Sequence, residues 1–248
     1  MELLSVQQAA AILDVDDSRV RQLVGAGKLR GQRISNRWLL DGDSVRDRKN
    51  HAVNPGRPLS PRNAWGLLAI LADRPAVGLS DPEKSRLRAR LRYMAAHQPL
   101  PARRLQELLS ARAEARRYRV HSGVLAAVSA APGVVQGGAG AAAQLAADYV
   151  APGHVEIYVH PSRLSELEQG FGMIRDSRRG ILLVRIPPAD AWPALVPASG
   201  QGRNGHDAPA PVVASDLLDL REGRADAAAI GMLQPLLARF APPGEGRM

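Results

Sequence analysis

Residues 1–50 carry a pattern of helix caps, apolar spacings and glycines that predicts two short helices followed by a β-hairpin. Ser5 suits the N-cap of the first helix, and the turn Asp14-Val15-Asp16-Asp17 can cap the second. Gly25-Ala26-Gly27 suits the end of the second helix, because glycine readily adopts the left-handed backbone of helix C-caps. Apolar residues recur on one face of each helix: Val6, Ala9, Ala10 and Leu13 in the first, and Val20, Leu23 and Val24 in the second.

The hairpin is predicted from Gly31 to Leu40, with its turn at Ser35-Asn36. Asparagine tolerates the left-handed backbone that such turns need. Alternation along the two strands predicts three inward and two outward side chains: Ile34, Trp38 and Leu40 inward, and Arg33 and Arg37 outward. Two helices followed by such a hairpin make a winged helix-turn-helix.

Residues 1–50 resemble the excisionase/MerR-type helix-turn-helix family at their apolar, glycine and wing positions. The matching residues are Leu4-Ser5-Val6, Ala9-Ala10, Leu13, Val15, Ser18-Arg19-Val20, Leu23, Gly27-Lys28-Leu29 and Arg37-Trp38. The wing turn departs from the family, which usually has glycine where this chain has Ser35-Asn36. The resemblance implies a winged helix-turn-helix that binds double-stranded DNA.

The outward positions of this segment carry side chains that suit DNA. A recognition helix presents its N-terminal residues to base edges in the major groove. Arginine can contact guanine, and glutamine adenine, through two hydrogen bonds, whereas arginines on a wing suit phosphates or the minor groove. The predicted DNA-binding residues are Ser18, Arg19, Arg21, Gln22, Lys28, Arg30, Arg33 and Arg37. The alternative is a helical module for protein contacts, in which these arginines are merely solvated.

The chain carries 33 basic and 24 acidic residues, a net charge of +9, and the excess lies in its middle third. Residues 57–120 contain 14 basic and 5 acidic side chains, whereas residues 121–248 contain 10 and 12. The arginines of this stretch include Arg86, Arg88, Arg90, Arg92, Arg103, Arg104, Arg112, Arg116, Arg117 and Arg119. Three interpretations are open: a second electrostatic contact with DNA, a dock for an acidic partner, and the solvated face of a helical bundle.

Three parts are predicted: the winged helix-turn-helix over residues 1–50, a basic helical region over 58–130, and an α+β domain with a small sheet over 131–240. The fold class is therefore α+β and mainly helical, in keeping with an aromatic content of only 4%. In the middle part, helices are predicted from Ser60-Pro61, from Ser80-Asp81 and over Pro99–Tyr118. In the last part we predict strands over 133–136, 154–159 and 181–186, helices over 139–147, from Ser162, over 212–220 and over 224–240, and a loop over 187–211.

The sequence lacks the commoner catalytic signatures. It has no cysteine and no Gly-x-Ser-x-Gly, and no Gly-Lys-Ser/Thr follows Gly137-Gly138. A glycine pair after a strand, then a helix and an acid-bearing strand, resembles the nucleotidyltransferase core. That chemistry needs at least two carboxylates on the strand, and Glu156 stands there alone. We therefore expect a degenerate core with no catalytic residue, no metal ion and no cofactor.

Residues 60–240 also resemble the AbiEi-type antitoxins of type IV toxin–antitoxin systems. The resemblance rests on Val134-Val135-Gln136-Gly137-Gly138, on the strand 154–159, on Pro211-Val212-Val213-Ala214-Ser215-Asp216-Leu217-Leu218 and on Gly223-Arg224-Ala225-Asp226-Ala227-Ala228. The usual antitoxin N-terminal domain is a different winged helix from the one predicted in this chain. The resemblance implies a C-terminal domain that counteracts a nucleotidyltransferase-type toxin and assists autorepression.

These features predict a sequence-specific DNA-binding transcriptional regulator, an autorepressing antitoxin that is not an enzyme. Its expected partners are double-stranded DNA and a nucleotidyltransferase-type toxin. The alternatives are a recombination or plasmid-maintenance factor that bends DNA, a ligand-responsive repressor, and a nucleotidyltransferase enzyme. No apolar run approaches the roughly 20 residues that span a bilayer, and Met1-Glu2-Leu3-Leu4-Ser5 lacks the basic start of a signal peptide. We therefore expect a cytoplasmic protein without a membrane partner.

Overall fold

The computed structural model describes residues 2–13, 15–34, 37–45, 58–97, 99–145, 149, 155–196 and 206–241. Contacts between residues divide the chain into two compact units, Met1–Gly56 and Arg57–Met248. Residues 58–130 and 131–240 were predicted as separate parts, whereas in the structure both belong to the second unit. The reason is a shared core, since Leu67 and Leu105 of the one part pack in the same cluster as Val135 and Leu217 of the other.

The first unit is a small α+β module. Its elements are β1 (Leu3–Ser5), α1 (Val6–Leu13), α2 (Asp17–Gly25), β2 (Gly31–Ile34) and β3 (Arg37–Asp41). The three strands form an antiparallel sheet in the order β1-β3-β2. Its core consists of Leu4, Ala9, Ala10, Val20, Leu23, Leu29, Leu40 and Val45. The strand β1 was not predicted, because three residues before a helix cap give no alternation to recognise.

The helix ends of this unit confirm the predicted caps. The Ser5 hydroxyl accepts a hydrogen bond from the backbone N–H of Gln8 at 3.2 Å, and the Gln8 side-chain oxygen accepts from the N–H of Ser5 at 2.8 Å. This reciprocal pair is a capping box. The Asp16 carboxylate accepts from the N–H of Arg19 at 2.7 Å and caps α2. Past the end of α2, Gly27 has a φ of +65°, the left-handed conformation predicted from its glycine.

The hairpin β2–β3 is present, but the predicted inward position of Ile34 is wrong. Ile34 is 46% exposed, whereas Leu40 is buried and Trp38 half-buried. In the register, Arg33 lies opposite Trp38 and Ile34 lies opposite Arg37. Directly opposite residues of an antiparallel pair share a face, so Ile34 lies on the other face from Trp38. The turn residues 35 and 36 lie outside the described residues.

The second unit is an α+β fold around a six-stranded sheet. Its helices are α3 (Pro61–Leu71), α4 (Asp81–Ala96), α5 (Ala102–Leu109), α6 (Leu125–Ser129), α7 (Gly138–Gln144), α8 (Leu164–Gly170), α9 (Trp192–Leu195), α10 (Ala210–Asp219) and α11 (Gly223–Ala238). Its strands are β4 (Glu114–Arg119), β5 (Val134–Gln136), β6 (Val155–Val159), β7 (Ile174–Arg175), β8 (Leu182–Ile186) and β9 (His206–Asp207). They run in the order β7-β4-β8-β6-β5-β9, and the β5–β9 and β6–β8 pairs are parallel.

The sheet is covered on both faces. Alternate residues of β5 and β6 point to opposite sides: Val135 and Tyr158 join the larger core, and Val134 and Ile157 join the smaller one. The larger core contains buried apolar residues from each of α3, α4, α5, α7, α10 and α11. The smaller core contains Val128 of α6 and, from α8, Leu164 and Leu167.

One predicted helix of the second unit is wrong in its second half. The helix expected over Pro99–Tyr118 ends at Leu109, and β4 begins at Glu114. Five residues of β4 pair with β8, from Glu114 opposite Ile186 to Tyr118 opposite Leu182. The charged residues of β4 give no apolar alternation, so only the pairing with β8, nearly seventy residues later, makes this segment a strand.

The remaining predictions for this unit hold in outline. The starts of α3 and α4 are confirmed, because Ser60 accepts a hydrogen bond from the N–H of Asn63 and Ser80 forms a capping box with Glu83. The strands β5, β6 and β8 and the helices α7, α8, α10 and α11 lie where they were predicted. The predicted loop over 187–211 contains the short elements α9 and β9, and residues 146–147, 154 and 197–205 lie outside the described residues. Within the described ranges, no helix combines the length and the apolar character needed to cross a membrane.

Candidate nucleic-acid interface and a buried charge network

The second helix of the first unit presents a polar outer face. Val20 and Leu23 are buried in the core at 0% and 5% exposure and fix the rotation of α2. Four predicted DNA-binding residues of this helix lie outside that core: Ser18, Arg19, Arg21 and Gln22. All four side chains are exposed. The structure therefore brings half of the predicted DNA-binding residues together on one short surface.

The two arginines of this face are only weakly engaged within the protein. Arg19 Nη1 donates to Gln22 Oε1 at 3.0 Å, and Arg21 Nη2 lies 3.8 Å from Asp17 Oδ2. Exposed interactions of this kind contribute at most about 1 kcal/mol. Both guanidinium groups can therefore exchange these partners for a ligand at small cost.

The other predicted DNA-binding residues follow α2 along the chain. Lys28 is exposed just after the helix, and Arg33 is exposed on β2. Arg30 is 72% exposed and forms an ion pair with Asp41 at 3.1 Å. Arg37 lies on β3 opposite Ile34, and its side chain lies outside what the structure describes. These residues extend the polar surface from the helix onto the hairpin.

Residues 3–50 match the helix-turn-helix domain family. The first unit contains a helix-turn-helix domain. A domain of this family points to a DNA-binding regulatory protein. The match covers less than a fifth of the 248 residues. No curated protein and no solved structure matches the chain. The resemblance of residues 60–240 to AbiEi-type antitoxins is therefore a hypothesis that rests on sequence pattern alone.

The second unit contains five ionisable side chains in one buried charge network: Arg112, Glu156, Arg185, Asp216 and Asp219. Arg112 Nη2 lies 2.7 Å from both Asp216 Oδ1 and Asp219 Oδ2. Arg185 forms an ion pair with Glu156 and lies 3.4 Å from Asp216 and 2.9 Å from Asp219. The side chains of Arg112 and Asp216 are 1% and 0% exposed.

Neutral groups complete the coordination of the network. Tyr158 Oη donates to Asp216 Oδ1, and the backbone N–H of Gly138 donates to Asp216 Oδ2 at 3.0 Å. On the other side, Trp65 Nε1–H donates to the carbonyl of Arg112 at 2.7 Å. The network therefore ties α3, α7, α10 and the sheet together. At its centre, Asp216 accepts from Arg112, a tyrosine and a backbone amide.

The charges of the network balance when Glu156 is protonated. Burial raises the pKa of the Glu156 carboxyl to about 7, with the charge of Asp216 acting in the same direction and Arg185 opposing the shift. A neutral Glu156 leaves two guanidinium groups facing two aspartates. An ionised Glu156 adds a third negative charge where water cannot screen it. Burial likewise raises the pKa of the Tyr158 hydroxyl, which keeps it a hydrogen-bond donor.

Glu156 was predicted from the sequence, but its companions in the network were not. Glu156 is the one acid of its strand, whereas Asp216 and Asp219 come from α10 and contact the same arginine, Arg185. A signal was present, because an aspartate inside the apolar run Val212–Leu218 is expected to have a buried partner. Within the described residues, no three histidine, aspartate or glutamate side chains are placed to hold a metal ion. The absence of catalysis stays a prediction.

The raised pKa of Glu156 predicts that the second unit loses stability as pH rises. The carboxyl titrates near its ordinary value of 4.5 in the unfolded chain and at about 7 in the folded one, so the folded state holds the proton more tightly. This contribution is complete below pH 4.5 and is lost as pH rises through 7. From pH 5 to 7 we expect a decrease of about 2 kcal/mol in the free energy of unfolding.

Urea unfolding between pH 5 and 9, followed by tryptophan fluorescence, measures this decrease. Glu156→Gln is the matched control, because it keeps the shape of the side chain and removes its titration. Plotted against pH, the free energies of unfolding of the two proteins should differ in slope between pH 5 and 7 and run parallel above pH 8. Parallel curves over the whole range would contradict the assignment.

Proposed function

We propose that this protein is a sequence-specific DNA-binding transcriptional regulator. In this proposal, α2 enters the major groove and the β2–β3 hairpin acts as a wing against the DNA backbone. The observation that carries the proposal is the polar row on α2, where Ser18, Arg19, Arg21 and Gln22 stand above a buried apolar face. These side chains can reach base edges without any rearrangement of the core.

The hairpin supports the same orientation. Arg30 and Arg33 lie on or beside β2 and are exposed, so both are placed to reach phosphates that flank the groove. Ile34 is exposed on the opposite face of the same strand from Arg33, where it offers an apolar surface to a backbone sugar. Ile34 is thus an added candidate that sequence alternation had assigned to the core.

A finer part of the proposal is that the protein is an autorepressing antitoxin. Its support is the resemblance of residues 60–240 to AbiEi-type antitoxins, with a nucleotidyltransferase-type toxin as the protein partner. Footprinting on the DNA upstream of its own gene tests autorepression, and copurification with the product of a neighbouring nucleotidyltransferase gene tests the partner. If the protein protected other promoters but not that of its own gene, it would still be a regulator, but the proposal of autorepression would be contradicted.

We propose further that the second unit acts by binding and not by catalysis. The support is that Arg185 already holds Glu156, the one carboxylate on the strand where a nucleotidyltransferase would need at least two free for metal ions. Incubation with Mg²⁺ and each nucleoside triphosphate should transfer no label to RNA or protein. Transfer that Glu156→Gln abolishes would favour the enzyme instead.

The proposed groove binding predicts that Arg19→Ala and Arg21→Ala each weaken specific binding. Each substitution should cost about 1–3 kcal/mol, or roughly 5- to 150-fold in Kd, the usual value of a good base contact. A gel shift at fixed salt, with the footprinted operator and a scrambled duplex of equal length, measures it. The weakening should appear mainly on the operator, because base recognition carries the specificity.

Arg224→Ala serves as the charge-matched control. Arg224 is exposed on α11 in the second unit, so its replacement removes one positive charge outside the helix-turn-helix domain. If the α2 variants bind the operator as tightly as Arg224→Ala does, α2 is excluded as the recognition helix.

A further inference from the structure

Helix α4 carries a strongly basic exposed surface that the helix-turn-helix domain does not explain. We define the α4 basic face as Arg86, Arg88, Arg90, Arg92, Tyr93 and His97, all of which are exposed. No acidic residue occurs in the chain from Lys84 to His97. This helix packs on the core through Leu87 and Leu91, and the arginines form two exposed rows on either side of that buried stripe, Arg86 with Arg90 and Arg88 with Arg92.

The aromatic end of this face is ordered. Arg86, Arg90, Tyr93 and His97 follow one another at steps of four, three and four residues, which places them on one stripe of the helix. The Tyr93 ring stacks on the His97 imidazole with 3.9 Å between ring centroids and 20° between planes. Tyr93 remains 51% exposed, so part of its side chain is accessible to a ligand.

The positive charge of the face is only weakly compensated within the described part of the chain, through the electrostatic interaction of Arg86 with Glu83. There, none of its four arginines forms an ion pair with a carboxylate. The two acids of the first turn are engaged elsewhere, since Asp81 pairs with Lys84 and Glu83 with Arg62. Like charges four residues apart destabilise a helix, and two arginine pairs of this face have that spacing: Arg86 with Arg90, and Arg88 with Arg92. Such repulsion is relieved when a polyanion binds.

We propose that the α4 basic face binds the phosphate backbone of double-stranded DNA without reading its sequence. The choice of DNA rests on the proposed function of the helix-turn-helix domain. Arg86 and Arg92 are about 9 Å apart along the helix axis, a length over which duplex DNA presents about five phosphates. Arginine donates to phosphate oxygens through several N–H groups, and a tyrosine hydroxyl is a common phosphate ligand.

The composition of the face favours a phosphate backbone over an acidic protein. Protein interfaces depend on apolar or aromatic anchors buried at their centre. Between its arginines this face offers only Ala89 and, at one end, Tyr93. Backbone binding needs no apolar centre, because its favourable free energy comes from the release of counterions.

The salt dependence of DNA binding by the full-length protein tests the proposal. The variant Arg86→Gln/Arg88→Gln/Arg90→Gln/Arg92→Gln removes four charges, and glutamine is nearly as good a helix former as arginine. Binding to a random-sequence duplex should weaken at least about tenfold near 0.1 M salt. The slope of log K against log salt should fall by about 0.9 for each phosphate that the variant no longer neutralises, and thus by about 1 to 3.6. The ratio of operator to random-duplex affinity should stay unchanged.

A control of equal charge separates this surface from net charge in general. Arg178→Gln/Arg179→Gln/Arg221→Gln/Arg224→Gln also removes four exposed charges and should change the slope by less than half as much. Circular dichroism should show that both variants keep their helical content. If the α4 variant and the control variant had equal slopes of log K against log salt, the proposal would be overturned. An acidic protein would then be the expected partner of α4.

The two proposals can fail separately. If α2 variants leave operator binding intact, the groove assignment fails while the α4 result stands. If the α4 variant keeps the wild-type slope while α2 variants no longer bind the operator, only the α4 proposal fails.

Discussion

Replacing Asp216 by alanine should lower the free energy of unfolding of the second unit by about 3–5 kcal/mol. The carboxylate accepts hydrogen bonds from Arg112 and Tyr158 and from the backbone N–H of Gly138, and it lies 3.4 Å from Arg185. Its removal leaves a guanidinium group that is 1% exposed without its most buried counter-charge. Breaking a buried pair on one side costs this much because the remaining charge is neither hydrated nor fully neutralised.

Glu166→Ala is the matched control for this prediction. Glu166 lies 2.9 Å from Arg163, and the two side chains are 64% and 40% exposed. An exposed pair of similar geometry contributes at most about 1 kcal/mol. Urea unfolding of both variants measures the contrast. Similar decreases in the two would show that the network is no more important to folding than a surface ion pair.

Replacing Gly138 by alanine should destabilise the second unit by about 2–5 kcal/mol. Gly138 has a φ of +58°, where a side chain costs about 1–2 kcal/mol. A Cβ there would lie 2.5 Å from Oε2 and 2.9 Å from Cβ of Glu156. The alanine would thus push the Glu156 carboxyl out of the network, and overpacking of a filled core adds about 1–3 kcal/mol.

Gly140→Ala in the same helix provides the internal control. A Cβ at Gly140 would meet no atom within 4 Å, and the residue is exposed. Alanine is about 1 kcal/mol more favourable than glycine inside a helix, so this variant should be slightly more stable than wild type. Thermal unfolding of the two variants should therefore move the Tm in opposite directions. Equal shifts would rule out the close approach of Gly138 to Glu156 as the cause.

The helix-turn-helix domain was largely predictable because its signals are local. The caps at Ser5 and Asp16 and the glycine at Gly27 each act within a few residues, and each adopts the predicted role. Ile34 was misplaced because side-chain alternation gives a strand two possible faces, and only the pairing register selects one. The exposure of the α2 face followed directly from the burial of Val20.

The second unit was harder to predict because its decisive contacts are distant in sequence. Most of the helices were predicted correctly, because their caps and apolar faces are visible in the sequence. The strand β4 has no apolar alternation of its own, and its identity depends on β8. In the network, Arg112 meets Asp216 across 104 residues, a separation that no spacing rule spans. Composition showed an excess of arginine but could not distinguish buried Arg112 from exposed Arg86.

The sheet order of the second unit has a consequence for the nascent chain. β4 can pair only after β8 has been synthesised, and the charge network can form only after α10 has been synthesised. The second unit therefore cannot complete its fold until Asp219 has left the ribosome. The core of the helix-turn-helix domain, in contrast, contains described residues from Leu4 to Val45 and depends on short-range contacts that form quickly. The DNA-binding domain should therefore fold while the second unit is still being synthesised. Translation halted between Val45 and Asp219 would release a folded DNA-binding domain attached to an incomplete, aggregation-prone sheet.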